Sequence, residues 1–166
     1  DLLKDPLYVS ENAAITAYCA IRLAMNKLPV TLKGCPCLII GWGRIGKCLA
    51  RLLKAMDAKV TVFARKETDR ALANALGYRA ISPAQMEENL DHYRLIINTV
   101  PHPMLSAAQM ADCRENCIKI DLASVQGIAG KHIIWARGLP GKDAPESSGA
   151  LIAKSVIRLL ERKEQL

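Results

Sequence analysis

The stretch Cys37-Leu38-Ile39-Ile40-Gly41-Trp42-Gly43-Arg44-Ile45-Gly46 constrains this chain most, because a short apolar run passes directly into G-x-G-x-x-G. In a strand-turn-helix unit the first glycine makes the tight turn, the second lets backbone approach a diphosphate, and the third lets the following helix lie close. Ile45 to Met56 supply that helix, with Ile45, Leu49, Leu52, Leu53 and Met56 spaced by three and four. Its free N–H groups and dipole point at whatever anion sits over the glycines. The motif therefore predicts a dinucleotide site.

The rest of the chain alternates helix and strand. Ser10 to Leu28 read as a helix capped by Ser10, with Ala14, Tyr18, Ile21 and Met25 on its buried face and Pro29 ending it. Lys59 to Ala64 form a β-branched second strand, Thr68 to Leu76 a helix stopped by Gly77, and Tyr78 to Ile81 a third strand. Ser82-Pro83-Ala84-Gln85 is a capping box opening a helix that ends near Asp91, and Leu95 to Val100 make a buried fourth strand. A second capping box, Ser106 to Gln109, precedes the fifth strand, Ile118 to Leu122; His132 to Trp135 form the sixth. The connection 123–131 is short for a parallel crossover and is predicted to be irregular. Arg137 to Pro145 read as a long loop. Ser147 or Ser148 then caps a helix through about Arg162, with Leu151, Ile152, Val156, Leu159 and Leu160 on its apolar face and a fraying tail. This pattern predicts an α/β Rossmann-type doubly wound parallel sheet, strand order 3-2-1-4-5-6.

At 166 residues and 51% hydrophobic content, one globular domain with a sizeable core is expected. The apolar runs fall far short of the ~20 residues that span a bilayer, so no membrane association is expected. No signal peptide opens the chain, and the cytoplasm is the predicted location. The chain starts at Asp1 and not at Met, which reads as part of a longer protein, with residues 1–30 leading from an N-terminal domain. Six cysteines match no common zinc spacing, so reduced buried thiols and no metal site are expected. The net charge of +7 comes from scattered Lys and Arg with few aromatic residues to stack on bases, which argues against nucleic acid and suits an anionic small molecule.

In such a sheet, ligands bind beyond the carboxyl ends of the strands, where strand order reverses. That selects Gly41, Trp42, Gly43, Arg44, Ile45 and Gly46 from the first strand, Ala64, Arg65 and Lys66 from the second, Thr99, Val100 and Pro101 from the fourth, and Ser124 after the fifth. Trp42 is expected to pack over the glycine loop. An NAD-preferring site places Asp or Glu at the end of the second strand for the ribose 2′-hydroxyl. Here Arg65-Lys66 follow Phe63-Ala64, with no carboxylate at that point, so the reading is NADP, with NAD also accepted. Asp121 is a catalytic candidate, although an aspartate in a strand also serves as a buried acceptor; both readings stay open. Lys142 suits a substrate carboxylate or is solvated. His102 is an acid/base candidate or a loop histidine.

The runs Leu38 to Gly46, Thr61 to Lys66, Asn98 to Pro101, Ile120 to Ser124 and Gly138-Leu139-Pro140-Gly141-Lys142-x-Ala144-Pro145 together resemble the dipicolinate synthase A family. The resemblance implies NADP-linked oxidation of dihydrodipicolinate, a small dicarboxylate, to dipicolinate in sporulating bacteria. It also implies an N-terminal domain and a separate flavoprotein-like subunit. Where that family tends to carry Thr-Ala-Glu-Gly in the leading helix, this chain has Thr16-Ala17-Tyr18-Cys19. Two other readings remain: the nucleotide domain of a D-2-hydroxyacid-dehydrogenase-like enzyme, and a non-catalytic NADP-sensing module. A homodimer through the leading or the C-terminal helix is also expected.

Overall fold

The computed structural model describes residues 1–88 and 90–164. Six parallel strands form one sheet: β1 (Pro36–Ile40), β2 (Lys59–Phe63), β3 (Arg79–Ile81), β4 (Leu95–Asn98), β5 (Ile118–Asp121) and β6 (Ile133–Trp135). Their order is β3-β2-β1-β4-β5-β6, as the alternation of elements predicts. β1 pairs on one side with β2, Ile40 opposite Phe63, and on the other with β4, Ile40 opposite Asn98. The order thus reverses beside β1, where the glycines emerge.

Both faces of the sheet are covered, which is why β1 and β4 read as unbroken apolar runs and not as alternating ones. Cys37 and Ile39 of β1 join a core with α1 (Pro6–Lys27), α2 (Arg44–Ala55) and α3 (Glu67–Ala75). Leu38 and Ile40 point the other way, into a core with Met86 of α4 (Pro83–Glu87) and Met110 of α5 (Ala107–Ala111). The chain closes with α6 (Leu139–Asp143) and α7 (Pro145–Glu164), which pack with α1 at one end of the first layer. All six cysteines are free thiols. Burial pushes those of Cys19, Cys35 and Cys37 above the ordinary range.

Both capping boxes form. The side chains of Ser82 and Gln85, and of Ser106 and Gln109, bond reciprocally to the backbone at the starts of α4 and α5. The helix opened by Ser82 is shorter than expected: α4 ends at Glu87, and a 3-10 turn, Leu90–His92, follows. Residues 123–131 hold no helix, and Leu105 and Ile128 form a single parallel bridge across that link.

Three helical expectations are corrected. α1 begins four residues before Ser10, because Asp5 caps it and Pro6 occupies its first position; the Ser10 hydroxyl instead donates to the Pro6 carbonyl. Its buried face is Ala13, Ala17, Ala20, Ile21 and Ala24, while Tyr18 and Met25 are exposed. Alanines at this spacing let α1 lie close against α2, so the small residues face inward and the large ones do not. The expected loop 137–145 contains α6, entered through Gly138 and Pro140, and α7 starts at Pro145 without a cap from Ser147 or Ser148. Of the predicted α7 face only Leu151 is buried; Ile152, Val156 and Leu160 are exposed and Leu159 is half-buried. α7 also runs through Glu164, past the expected end. It is held to the start of α1 by an ion pair from Arg158 to Asp5, the residue that caps α1.

Candidate functional site

The strand β1 delivers Gly41 at φ +108, a conformation side chains rarely adopt, and Cβ space there is already taken by the Thr99 hydroxyl at 2.4 Å. Gly46, in the first turn of α2, lies so close beneath that a Cβ would stand 2.1 Å from the Gly41 carbonyl oxygen. The loop and helix are thus locked together by the absence of two side chains. Gly43 is different: a Cβ there would meet nothing within 4 Å. It also caps α2 without a side chain, leaving the first N–H groups of the helix free.

This loop floors a cleft of about 430 Å³ between the ends of β2 and β4. Gly41, Trp42, Gly43, Ala64, Arg65, Lys66, Val100 and Pro101, all selected from sequence, line it together. Arg65 and Lys66 are exposed and make no ion pair among the described residues. Trp42 is buried, its ring edge-on to Tyr78 at 5.6 Å with the Lys47 ammonium over it. A second hollow of about 280 Å³ opens on the other side of the glycine loop. There Arg44, Ile45 and Thr99 meet Val9, Asn12 and Ala13 of α1. The Thr99 hydroxyl donates to the Ile40 carbonyl, fixing the end of β4 against β1.

The residues fit a dinucleotide. The space over Gly43 is open, uncapped helix N–H groups face it, and two unpaired cations stand at the end of β2. Backbone N–H groups of the loop and Arg44 would hold the diphosphate; Arg65 and Lys66 would hold a ribose phosphate.

Three sequence candidates stand elsewhere. Asp121 is fully buried, and each carboxylate oxygen is used twice. One accepts from the Asn98 amide and the Ala123 N–H, both at 3.0 Å, and the other from the N–H groups of Gly127 at 2.7 Å and Ile128 at 2.9 Å. With no oxygen left for a ligand, its reading as a reacting group gives way to the structural one, a knot tying β4, β5 and the link 122–132 together. Lys142 is exposed on α6 and Ser124 is exposed after β5; neither lines the cleft or the hollow. His102 does line the cleft, with its Nδ1 3.0 Å from the Pro103 carbonyl oxygen.

Sequence reasoning misses Asp69 and Asn12. Asp69 lines the cleft beside Arg65 and Lys66, which corrects the expectation of a site without a carboxylate. It stands on α3, a few residues past the end of β2 and off the strand itself, but a side chain in the first turn of a helix leans back toward the N-terminus, and that direction is the available signal. Asn12 can be found only from how α1 packs.

A family model described as NAD(P)-binding matches residues 28–127. The dipicolinate synthase A protein of Bacillus subtilis is 28% identical over 157 residues, covering 90% of this chain and 53% of that protein. Its counterpart from Bacillus halodurans superposes with a TM-score of 0.90 at 28% identity, over 96% of this chain and 57% of that one. A shikimate dehydrogenase (NADP(+)) of Clostridium botulinum is 27% identical over 112 residues, 64% of this chain and 43% of that enzyme. The chain spans about half the length of the curated relatives it matches. Among the described residues, no helix is long and apolar enough to cross a membrane.

Proposed function

This chain belongs to the NAD(P)-binding family, and from that premise we propose that it is the nucleotide-binding part of an NADP-linked oxidoreductase of the dipicolinate synthase A kind, oxidising dihydrodipicolinate to dipicolinate. The observation that carries the proposal is the meeting of an uncapped glycine loop with unpaired Arg65 and Lys66 in one cleft at the sheet's switch point. The glycine loop binds the diphosphate, and the adenosine lies between the ends of β2 and β4 against Val100, Pro101 and Met104. That direction sends the other end of the dinucleotide toward the hollow of Asn12, Arg44 and Thr99. When bound, the nicotinamide supplies the hydride acceptor. Arg44, in that hollow, neutralises a substrate carboxylate; Lys142, outside it, does not. Asp121 acts as a positioning residue, through the Asn98 side chain and the backbone after β5.

The partners in this reading are a second, different polypeptide, since the Bacillus relative is one of the subunits of its enzyme, and a further domain or second copy against the exposed Ile152, Val156 and Leu160 of α7. Light scattering that shows a monomer at high concentration counts against the second copy. The cytoplasm remains the proposed location.

Charge-assisted contacts to a phosphate contribute roughly 1.5–3 kcal/mol, about ten- to a hundredfold in affinity. Calorimetric titration at one fixed salt concentration is expected to show NADP(H) binding more tightly than NAD(H), with Arg65→Ala removing most of the difference. Equal affinities, or tighter NAD(H), overturn the NADP reading. The substrate is tested with the full-length protein and its partner polypeptide on dihydrodipicolinate, followed by product absorbance. Cofactor binding without turnover across related dicarboxylates favours the sensing module instead.

A further inference from the structure

The turn that carries Arg65 and Lys66 is built by a third cation. Arg70, one turn into α3, donates through a single guanidinium nitrogen to the carbonyl oxygens of Ala64 at 2.8 Å and Arg65 at 2.7 Å. Two carbonyls drawn to one nitrogen fix the backbone that leaves β2, and the side chains around it work from a set position. The neighbour of Arg70 on that helix turn is Asp69, half-buried in the wall of the cleft. Among the described residues its carboxylate has no ion pair or hydrogen bond, and Arg65 and Lys66 likewise make no ion pair. Charges of both signs therefore face the same volume without cancelling in contact, and each is left for a ligand.

We propose that Asp69 sets how this cleft divides its affinity between NAD(H) and NADP(H). Its carboxylate accepts a hydrogen bond from an adenosine ribose 2′-hydroxyl and repels a 2′-phosphate, opposing Arg65 and Lys66 on the same wall. The chain thus combines the acidic feature of an NAD site with the basic feature of an NADP site. They come from different elements, the cations from the end of β2 and the carboxylate from α3, and Arg70 holds the two in register. The inference rests on reading this cleft as a nicotinamide dinucleotide site.

Two adenosine probes isolate the ribose end: 2′,5′-ADP carries the 2′-phosphate, and 5′-AMP carries the 2′-hydroxyl. Calorimetry with both is run on the 166-residue chain, on Asp69→Asn and on Glu67→Gln, which removes the same charge from the same helix turn at a residue outside the cleft. Asp69→Asn is expected to raise the preference for 2′,5′-ADP over 5′-AMP about tenfold, as the loss of one opposed charge close to a phosphate requires. Glu67→Gln is expected to leave it within about twofold, because solvent screens a charge outside the cleft. If both probes bind and Asp69→Asn leaves the preference unmoved, or if Glu67→Gln moves it equally, the inference is overturned while the nucleotide reading stands. If the unaltered chain binds neither probe, the nucleotide reading falls and takes the inference with it.

Discussion

Two polar constellations sit at the same edge of the sheet and behave oppositely. At the ends of β1 and β2, Arg65, Lys66 and Asp69 stand in an open cleft without ion-pair partners among the described residues. At the end of β5, Asp121 is sealed from solvent and accepts four hydrogen bonds. Both lie at or beyond the carboxyl ends of the strands, which is where a sheet of this kind binds ligands. What separates them is unmet hydrogen-bonding capacity. A carboxylate that has met all of its acceptor sites within the fold has nothing to offer a ligand, and one left short has.

That contrast breaks first, and most severely, at Asp121. Asp121→Ala strips a partner from three backbone N–H groups and the Asn98 amide in the interior, and is expected to cost about 3–5 kcal/mol, read from urea unfolding. A loss below about 1 kcal/mol would mean that the knot holds nothing. Next comes Gly46→Ala, which forces the glycine loop away from α2. It is expected to cost about 1–3 kcal/mol and to remove detectable dinucleotide binding, checked by unfolding and calorimetry on one preparation. Gly43→Ala sharpens the comparison from the other side. A Cβ there meets no protein atom, so stability should stay within about 0.5 kcal/mol, yet affinity for a dinucleotide should fall at least about tenfold. Unchanged affinity would show that no phosphate approaches that backbone. The smallest effect belongs to Ser106→Ala, which removes half of a capping box that does not line the cleft. About 1 kcal/mol of stability should go, with cofactor affinity untouched.

The sheet is legible because every cue for it is local. β-branched and aliphatic runs, two capping boxes and the glycine motif each lie within a few residues, and together they dictate the strand order and the place of the cleft. The leading helix misleads because its inward face is built of alanines. Hydrophobic periodicity weights Tyr18 and Met25 above Ala17 and Ala20, whereas close approach of α1 to α2 admits only the small ones. Asp69 and Asn12 escape sequence reasoning because each reaches the site from an element whose placement is tertiary. For Asp121 the residue type and position are plain. Its role is decided by the Gly127 and Ile128 N–H groups, supplied by an irregular link that no periodicity describes.

The position of β1 also has a kinetic meaning. Its zero-exposure residues Cys37 to Ile40 complete their burial only when both neighbours arrive, and the neighbours are unequal in sequence distance: Cys37 pairs with Val60 nearby and with Leu95 much later. Loop-closure entropy favours the nearer partner, so the half containing β1, β2 and β3 should assemble ahead of β4 to β6. The two tryptophans happen to divide along that line. Trp42 is buried in the early half and Trp135 is part-exposed on the last strand. In stopped-flow refolding of single-tryptophan variants, Trp42 emission should reach its native value first, and simultaneous traces would mean that the two halves condense as one.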